Sequence, residues 1–142
     1  MKSFIILALL GLSLSLSADR TTVVNCAKNA LGKPYVLGAA GPNSFDCIGL
    51  VRYCLKQIGK GGNIGSVCHY QYNKGPHPSK DQLQPGDAVF FKNNGDANKQ
   101  PGHVGIFVGN DMYINANSVQ KKVVSAKLSA NRNYYGATNY ID

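Results

Sequence analysis

The stretch GPHPSKDQLQPGD, residues 75–87, divides a chain whose hydrophobic spacing differs on its two sides. Before it, apolar residues recur at intervals of three and four. In NSFDCIGLVRYCLKQIG, residues Cys47, Leu50, Val51, Cys54, Leu55 and Ile58 follow one helical stripe. Gly59 marks its end, and either Ser44 or Asp46 can cap its start. An earlier helix, capped by Thr21 or Thr22, runs to Leu31, with Val23, Ala27, Ala30 and Leu31 on one face and Gly32 behind it. SVCHYQYN can form a short third helix. After the Pro-rich stretch, DAVFFK, GHVGIFVGN, DMYINANS, VQKKVVSA and YYGATNYI are short β-prone runs separated by Gly, Asn and Asp turns. Helices first and strands second predict an α+β domain, with the N-terminal helices packed on a mostly antiparallel sheet.

The N-terminus reads MKSFIILALLGLSLSLSADR. Lys2 precedes an apolar run from Phe4 to Leu12, followed by small residues Ser15 and Ser17. This pattern predicts a secretory signal peptide over residues 1–17 and a secreted, extracellular product. The run is shorter than the roughly 20 residues a membrane span needs, and no later stretch is long and apolar enough, so no stable membrane insertion is expected. Residues 18–142 then form a single domain with one core.

Removing Lys2 lowers the formal charge from +8 to +7, and the chain contains no Glu. The basic residues are scattered singly apart from Lys121 and Lys122, whereas nucleic-acid binders cluster them, so no nucleic-acid partner is expected. Diffuse positive charge suits approach to a polyanionic surface such as a bacterial envelope, or serves solubility alone.

Four cysteines, Cys26, Cys47, Cys54 and Cys68, stand in a chain expected to be exported. Cys54 lies on the apolar stripe and reads as a core residue. Cys47 lies in the first helical turn, where the helix terminus favours the thiolate. A nucleophilic thiol needs a base. His69 and His77 read as surface positions, whereas His103 opens a strand. Period-two alternation sends Val104, Ile106 and Val108 toward a core and His103, Gly105 and Phe107 to the other face. Gly105 leaves room for a neighbouring element to approach the imidazole. In MYINANS, Tyr113, Asn115 and Asn117 take the polar-face positions, and either Asn could orient the ring. The order Cys, His, Asn is that of papain-like sites.

GKPYVLGAAGPNSFDCIGLV, LQPGDAVFF and HVGIFVGNDMYINAN together resemble the NlpC family of cell-wall cysteine peptidases, over nearly all of residues 20–141. In that family a Pro-Tyr loop leads into an Asp-Cys-Ser-Gly-Leu-Val helix, a Pro-Gly-Asp strand follows, and a His-Val-Gly-Ile strand precedes a third polar residue. The resemblance implies a papain-like α+β fold with Cys47 as nucleophile, His103 as base and Asn115 as the residue that orients it. It implies that Tyr35 lines the site and that Asp46 grips substrate. Two departures stand out: Ile48 replaces the serine after the nucleophile, and Leu37-Gly38-Ala39 replaces an aromatic-Gly-Gly loop. Cys47 is then a free thiol, and any bridge joins two of Cys26, Cys54 and Cys68.

The implied activity is thiol hydrolysis of peptidoglycan stem peptides, at the bond between γ-D-Glu and a diamino acid, by a monomer without cofactor or metal. Two other readings fit the residues. One is an N-acetylmuramoyl-L-alanine amidase of the related Cys-His-Asn hydrolases; the other is a non-catalytic basic protein that binds the envelope.

Overall fold

The computed structural model describes residues 16–93 and 100–142, without the side chains of Asn63, His69 and Tyr70. The expected signal segment falls almost wholly outside the described residues, as does the surface placement of His69.

Among the described residues, three α-helices precede five strands: α1 is Ala18–Asn29, α2 is Cys47–Lys56, and α3 is the five-residue Cys68–Tyr72. α1 begins a turn earlier than its threonines suggest. Ser17 is the cap, its hydroxyl accepting from the Arg20 N–H at 3.2 Å, and Thr22 instead donates back to the Ala18 carbonyl within the helix. The early start places Arg20 inside the helix, where its side chain is 2% exposed. Its Nη1 donates to Asp87 Oδ1 and to the Pro85 carbonyl, both at 3.0 Å, and its Nη2 to Asp142 Oδ2 at 2.8 Å. One guanidinium thus ties the first helix to the approach of the first strand and to the C-terminus. Val23, Ala27 and Ala30 are buried as expected, but Leu31 lies beyond the helix end and is 43% exposed; Val24 is buried instead.

The strands are β1 (Ala88–Lys92), β2 (Pro101–Gly109), β3 (Met112–Asn117), β4 (Lys122–Lys127) and β5 (Tyr134–Thr138). They form one sheet in the order β4-β3-β2-β1-β5, and every neighbouring pair is antiparallel. The last strand returns across the sheet to pair with the first.

Alternation along these strands creates two apolar faces. On one, Phe90, Val104, Ile106 and Ile114 pack against Val23, Ala27, Leu50, Val51 and Leu55 of α1 and α2. Each such large side chain contributes about 1.5–3 kcal/mol when fully buried. The other face is not simply polar: Val89, Phe91, Tyr113, Leu128 and Ala137 form a second, smaller cluster there. Tyr113, expected among polar positions, is buried in it.

Cys26 of α1 and Cys54 of α2 are bridged. A crosslink spanning 28 positions is worth about 3.5 kcal/mol through the entropy it removes from the unfolded chain. The bridge fastens α2 to α1 from behind, leaving Cys47 and Cys68 as free thiols.

Between α1 and α2 the chain runs along the outer edge of β4. Gly32 N–H donates to the Val123 carbonyl at 2.9 Å, Val123 N–H to the Lys33 carbonyl at 2.8 Å, and Tyr35 N–H to the Lys121 carbonyl at 3.0 Å. Phe45, wholly buried, anchors the return of this loop, its N–H donating to the Pro34 carbonyl. The sheet edge therefore sets where Tyr35 stands.

Candidate active site

Cys47 is the first residue of α2, and Asp46 is the cap that starts it. Asp46 Oδ1 accepts from the Gly49 N–H at 2.6 Å, and Oδ2 accepts from the Gly38 N–H at 2.8 Å. The Asp46 N–H donates to the Ala39 carbonyl at 2.8 Å. One carboxylate thus holds the loop and the helix start together. Of the two possible caps, the chain uses Asp46. Gly49 is needed for close approach: a Cβ there would meet the backbone of Ala39 and Ala40. The helix ends at Lys56, and Gly59 takes a positive φ in the turn beyond.

His103 and Asn115 come from neighbouring strands. His103 Nε2 lies 2.9 Å from Asn115 Oδ1, while Asn115 Nδ2 donates to the Val124 carbonyl at 3.3 Å. An amide oxygen only accepts, so Nε2 carries the proton in this pair and Nδ1 is left for the thiol. Gly105 makes the pairing possible, because a Cβ there would stand 2.8 Å from the Ile114 carbonyl oxygen and 3.1 Å from Asn115 Cβ. The room beside His103 is thus filled by β3 itself. Asn117 has a different task. Its Oδ1 accepts from the N–H groups of Val119 and Gln120, both at 2.9 Å, and so fixes the turn into β4. Asn115, 1% exposed, is the asparagine at the ring.

Cys47, His103 and Tyr35 line one cleft, with Asn93 and Gly102 on one wall and the 117–119 turn on another. Val119 projects from that turn, 87% exposed. Asp46 caps the helix start, its carboxylate engaged by the two backbone N–H groups and its charge felt at Tyr35. His77 lies away from the cleft, stacked on Tyr72 with ring centroids 3.9 Å apart. Among the described residues, no group of three or more His, Cys, Asp or Glu side chains could hold a metal ion.

The electrostatics favour a thiolate at Cys47, whose pKa is lowered to about 5. The largest cause is the hydrogen bond from the Cys68 thiol. Burial opposes it, and the hydrogen bond and positive charge of His103 add to it. His103 moves the other way: burial works against its cation, but Cys47 and Asn115 outweigh burial and raise its pKa. Burial, and after it the negative charges of Cys47 and Asp46, push Tyr35 up, so its hydroxyl keeps its proton as a donor. A thiolate beside an imidazolium, at a helix start with an adjacent phenol donor, is equipped for attack on a carbonyl carbon.

Cys68 at this site was not legible in the sequence, where it figured only as a possible half of a disulfide. It belongs to a separate short helix, and no spacing rule relates it to Cys47.

A model of the NlpC/P60 family matches residues 32–140. The chain belongs to the NlpC/P60 family. It is 41% identical over 105 residues to a probable endopeptidase p60 of Listeria grayi, covering 73% of this chain and 19% of that protein. It is 36% identical over 94 residues to a probable endopeptidase of Corynebacterium glutamicum, covering 66% of this chain and 41% of that protein. The chain thus spans less than half the length of either relative. Among solved structures, NlpC2 from Trichomonas vaginalis superposes with a TM-score of 0.80 at 25% identity, over 89% of this chain and 48% of the other. The NlpC/p60 domain of the peptidoglycan hydrolase SagA gives 0.72 at 29% identity, over 84% of this chain and 97% of that domain. The α+β architecture expected of the family is the one observed: helices on an antiparallel sheet.

Proposed function

We propose that the protein is an exported cysteine-type endopeptidase that hydrolyses peptidoglycan stem peptides between γ-D-Glu and a diamino acid. The observation that carries this reading is the Cys47–His103–Asn115 arrangement, open to a cleft, in a chain of the NlpC/P60 family. The Cys47 thiolate attacks the amide carbon. Its own N–H, one of the unpaired donors of a helix start, and the Tyr35 hydroxyl face the oxyanion; removing one such donor costs roughly 3 kcal/mol of transition-state stabilisation. The His103 imidazolium then protonates the leaving amine, and neutral His103 activates the water that releases the acyl group. Asn115 holds the ring in the required tautomer throughout. Each Asp46 oxygen keeps a second lone pair after accepting from Gly49 in the helix or Gly38 in the loop, which supports a further role in holding the free amine of an N-terminal L-Ala beside Tyr35. The net positive charge suits attraction to anionic walls.

The test is product analysis by mass spectrometry with a muramyl-linked and a free tetrapeptide. Fragments retaining L-Ala-D-Glu are expected from wild type, and none from Cys47→Ala. Intact free stem plus bare glycan would mean amidase chemistry and overturn the bond assignment. Turnover by Cys47→Ala would overturn the thiol mechanism.

A further inference from the structure

We propose that Cys68 is the resolving thiol for Cys47, so that a hydroperoxide converts the nucleophile into a reversible Cys47–Cys68 disulfide. Two of the four cysteines are already bridged, Cys26 to Cys54; of the remaining two, Cys68 lies in the core cluster against which Cys47 packs. Cys68 is not held there by chance packing alone. One turn along α3, the wholly buried Gln71 donates from Nε2 to the Gly65 carbonyl at 3.1 Å and to the Ile48 carbonyl at 3.4 Å. Ile48 is the residue after the nucleophile, so these contacts seat α3 on the first turn of α2. The Tyr140 hydroxyl donates to the Gln71 carbonyl from the other side.

Access assigns the two roles. Cys47 is half-buried and opens to the cleft, whereas Cys68 is 4% exposed. A small oxidant entering the cleft meets Cys47 first. Charge agrees: Cys47 favours the thiolate, while its hydrogen bond to that thiolate, and then burial, keep Cys68 protonated.

In the first step the Cys47 thiolate attacks one oxygen of the hydroperoxide. An S–O bond forms, the O–O bond breaks, the sulfur gives up two electrons, and the alcohol or water leaves after taking a proton. In the second step the Cys68 sulfur attacks the Cys47 sulfenic acid. The S–S bond forms, the S–O bond breaks, and hydroxide departs as water with the Cys68 proton. A dithiol returns the two electrons and two protons and restores both thiols. A sulfenic acid without a resolving thiol advances to the sulfinic acid, which dithiols do not reverse. Cys68 therefore converts a terminal lesion into a recoverable one, at the cost of activity while the bridge stands.

This inference rests on the reading of Cys47 as the nucleophile, but its decisive readout is a peptide mass and does not need turnover. Purified protein is titrated with hydrogen peroxide, alkylated and mapped without reduction, with muropeptide hydrolysis measured in parallel before and after dithiothreitol. Wild type should yield a peptide linking Cys47 to Cys68, lose hydrolysis, and regain it fully with dithiothreitol. Cys68→Ala, or Cys68→Ser if the alanine variant does not fold, should accumulate Cys47 sulfinic acid and lose hydrolysis permanently. Sulfinic acid at Cys47 of wild type without the linked peptide would overturn the proposal, and so would equal recovery of the Cys68 variants. Absence of hydrolysis in untreated enzyme would count against the proposed function and leave the mass readout of the thiol pair standing.

Discussion

Replacing glycine by alanine inside a helix ordinarily stabilises by about 1 kcal/mol. At Gly49 the sign should invert. A Cβ built there stands 2.8 Å from Ala40 Cα and 2.9 Å from the Ala39 carbonyl carbon, and closer still to the Ala39 oxygen. All three are backbone atoms, so no rotamer change relieves the contact. The loop must retreat by more than an ångström at the Ala39 oxygen to reach ordinary contact, or the first turn of α2 must open. Overpacking of this kind costs about 1–3 kcal/mol. The retreat also strains the bond from Gly38 N–H to the Asp46 carboxylate and the bond from Asp46 N–H to the Ala39 carbonyl. A hydrogen bond to a charged group contributes about 1.5–3 kcal/mol. After the helix-propensity gain is subtracted, the net loss is on the order of 3 kcal/mol, which lowers the melting temperature of a domain this size by roughly 10 °C. Thermal unfolding followed by circular dichroism reads it. Gly62→Ala, where a Cβ meets nothing within 4 Å, serves as the control. Alkylation of Cys47 should slow in Gly49→Ala, because the cap that presents the thiol is displaced. A Gly49→Ala protein melting at or above the wild-type temperature would refute the close-approach argument.

The rate of Cys47 alkylation should rise through half-maximum near pH 5, where the thiolate forms, and hydrolysis should fall again only above the raised pKa of His103, where the leaving-group acid is lost. Because Cys68 and His103 both favour the thiolate, Cys68→Ala and His103→Ala should each move the alkylation profile to higher pH; a profile that stays in place removes that residue from the account. At the other end of the molecule, Arg20→Met strands Asp87, which is 1% exposed, without its cation. Breaking a buried pair from one side costs about 3–5 kcal/mol, so the urea midpoint should drop sharply and recover in large part in the double variant Arg20→Met/Asp87→Leu.

The legible parts of the molecule were those encoded by local spacing. The stripe of α2 as far as Leu55, the cap at its start and the inward Val104 and Ile106 of β2 are each contained within a few residues and stand where the pattern puts them, whereas Ile58 falls beyond the helix end at Lys56 and Val108 is only partly buried. Helix position and strand alternation single out Cys47 and His103, which the family resemblance then makes nucleophile and base, but they leave Asn115 and Asn117 equivalent, and the choice of Asn115 comes from the resemblance alone. The tertiary structure separates them, since one faces the ring and the other closes a turn. What stayed hidden depends on partners remote in sequence. Arg20 reaches residues 67 and 122 positions away, so nothing near it shows that the helix must start at Ala18. The pairing of Cys26 with Cys54 follows from how α1 lies on α2, and the contact of Cys68 with Cys47 from how α3 does. The return of β5 to β1 is likewise a choice of topology to which alternating residues are indifferent.

The strip of chain at residues 32–35 that pairs along β4 has a consequence for how these molecules meet one another. An unprotected outer strand offers its free N–H and C=O groups to any other strand of suitable register, including the same strand of a second copy. Here the N-terminal part of that rim is already taken by Gly32, Lys33 and Tyr35. An intruding strand would have to peel this segment away, and Tyr35 would leave the cleft with it. Self-association through this rim and an intact cleft wall are therefore mutually exclusive, so any edge-joined aggregate assembled there consists of molecules whose cleft has lost its tyrosine.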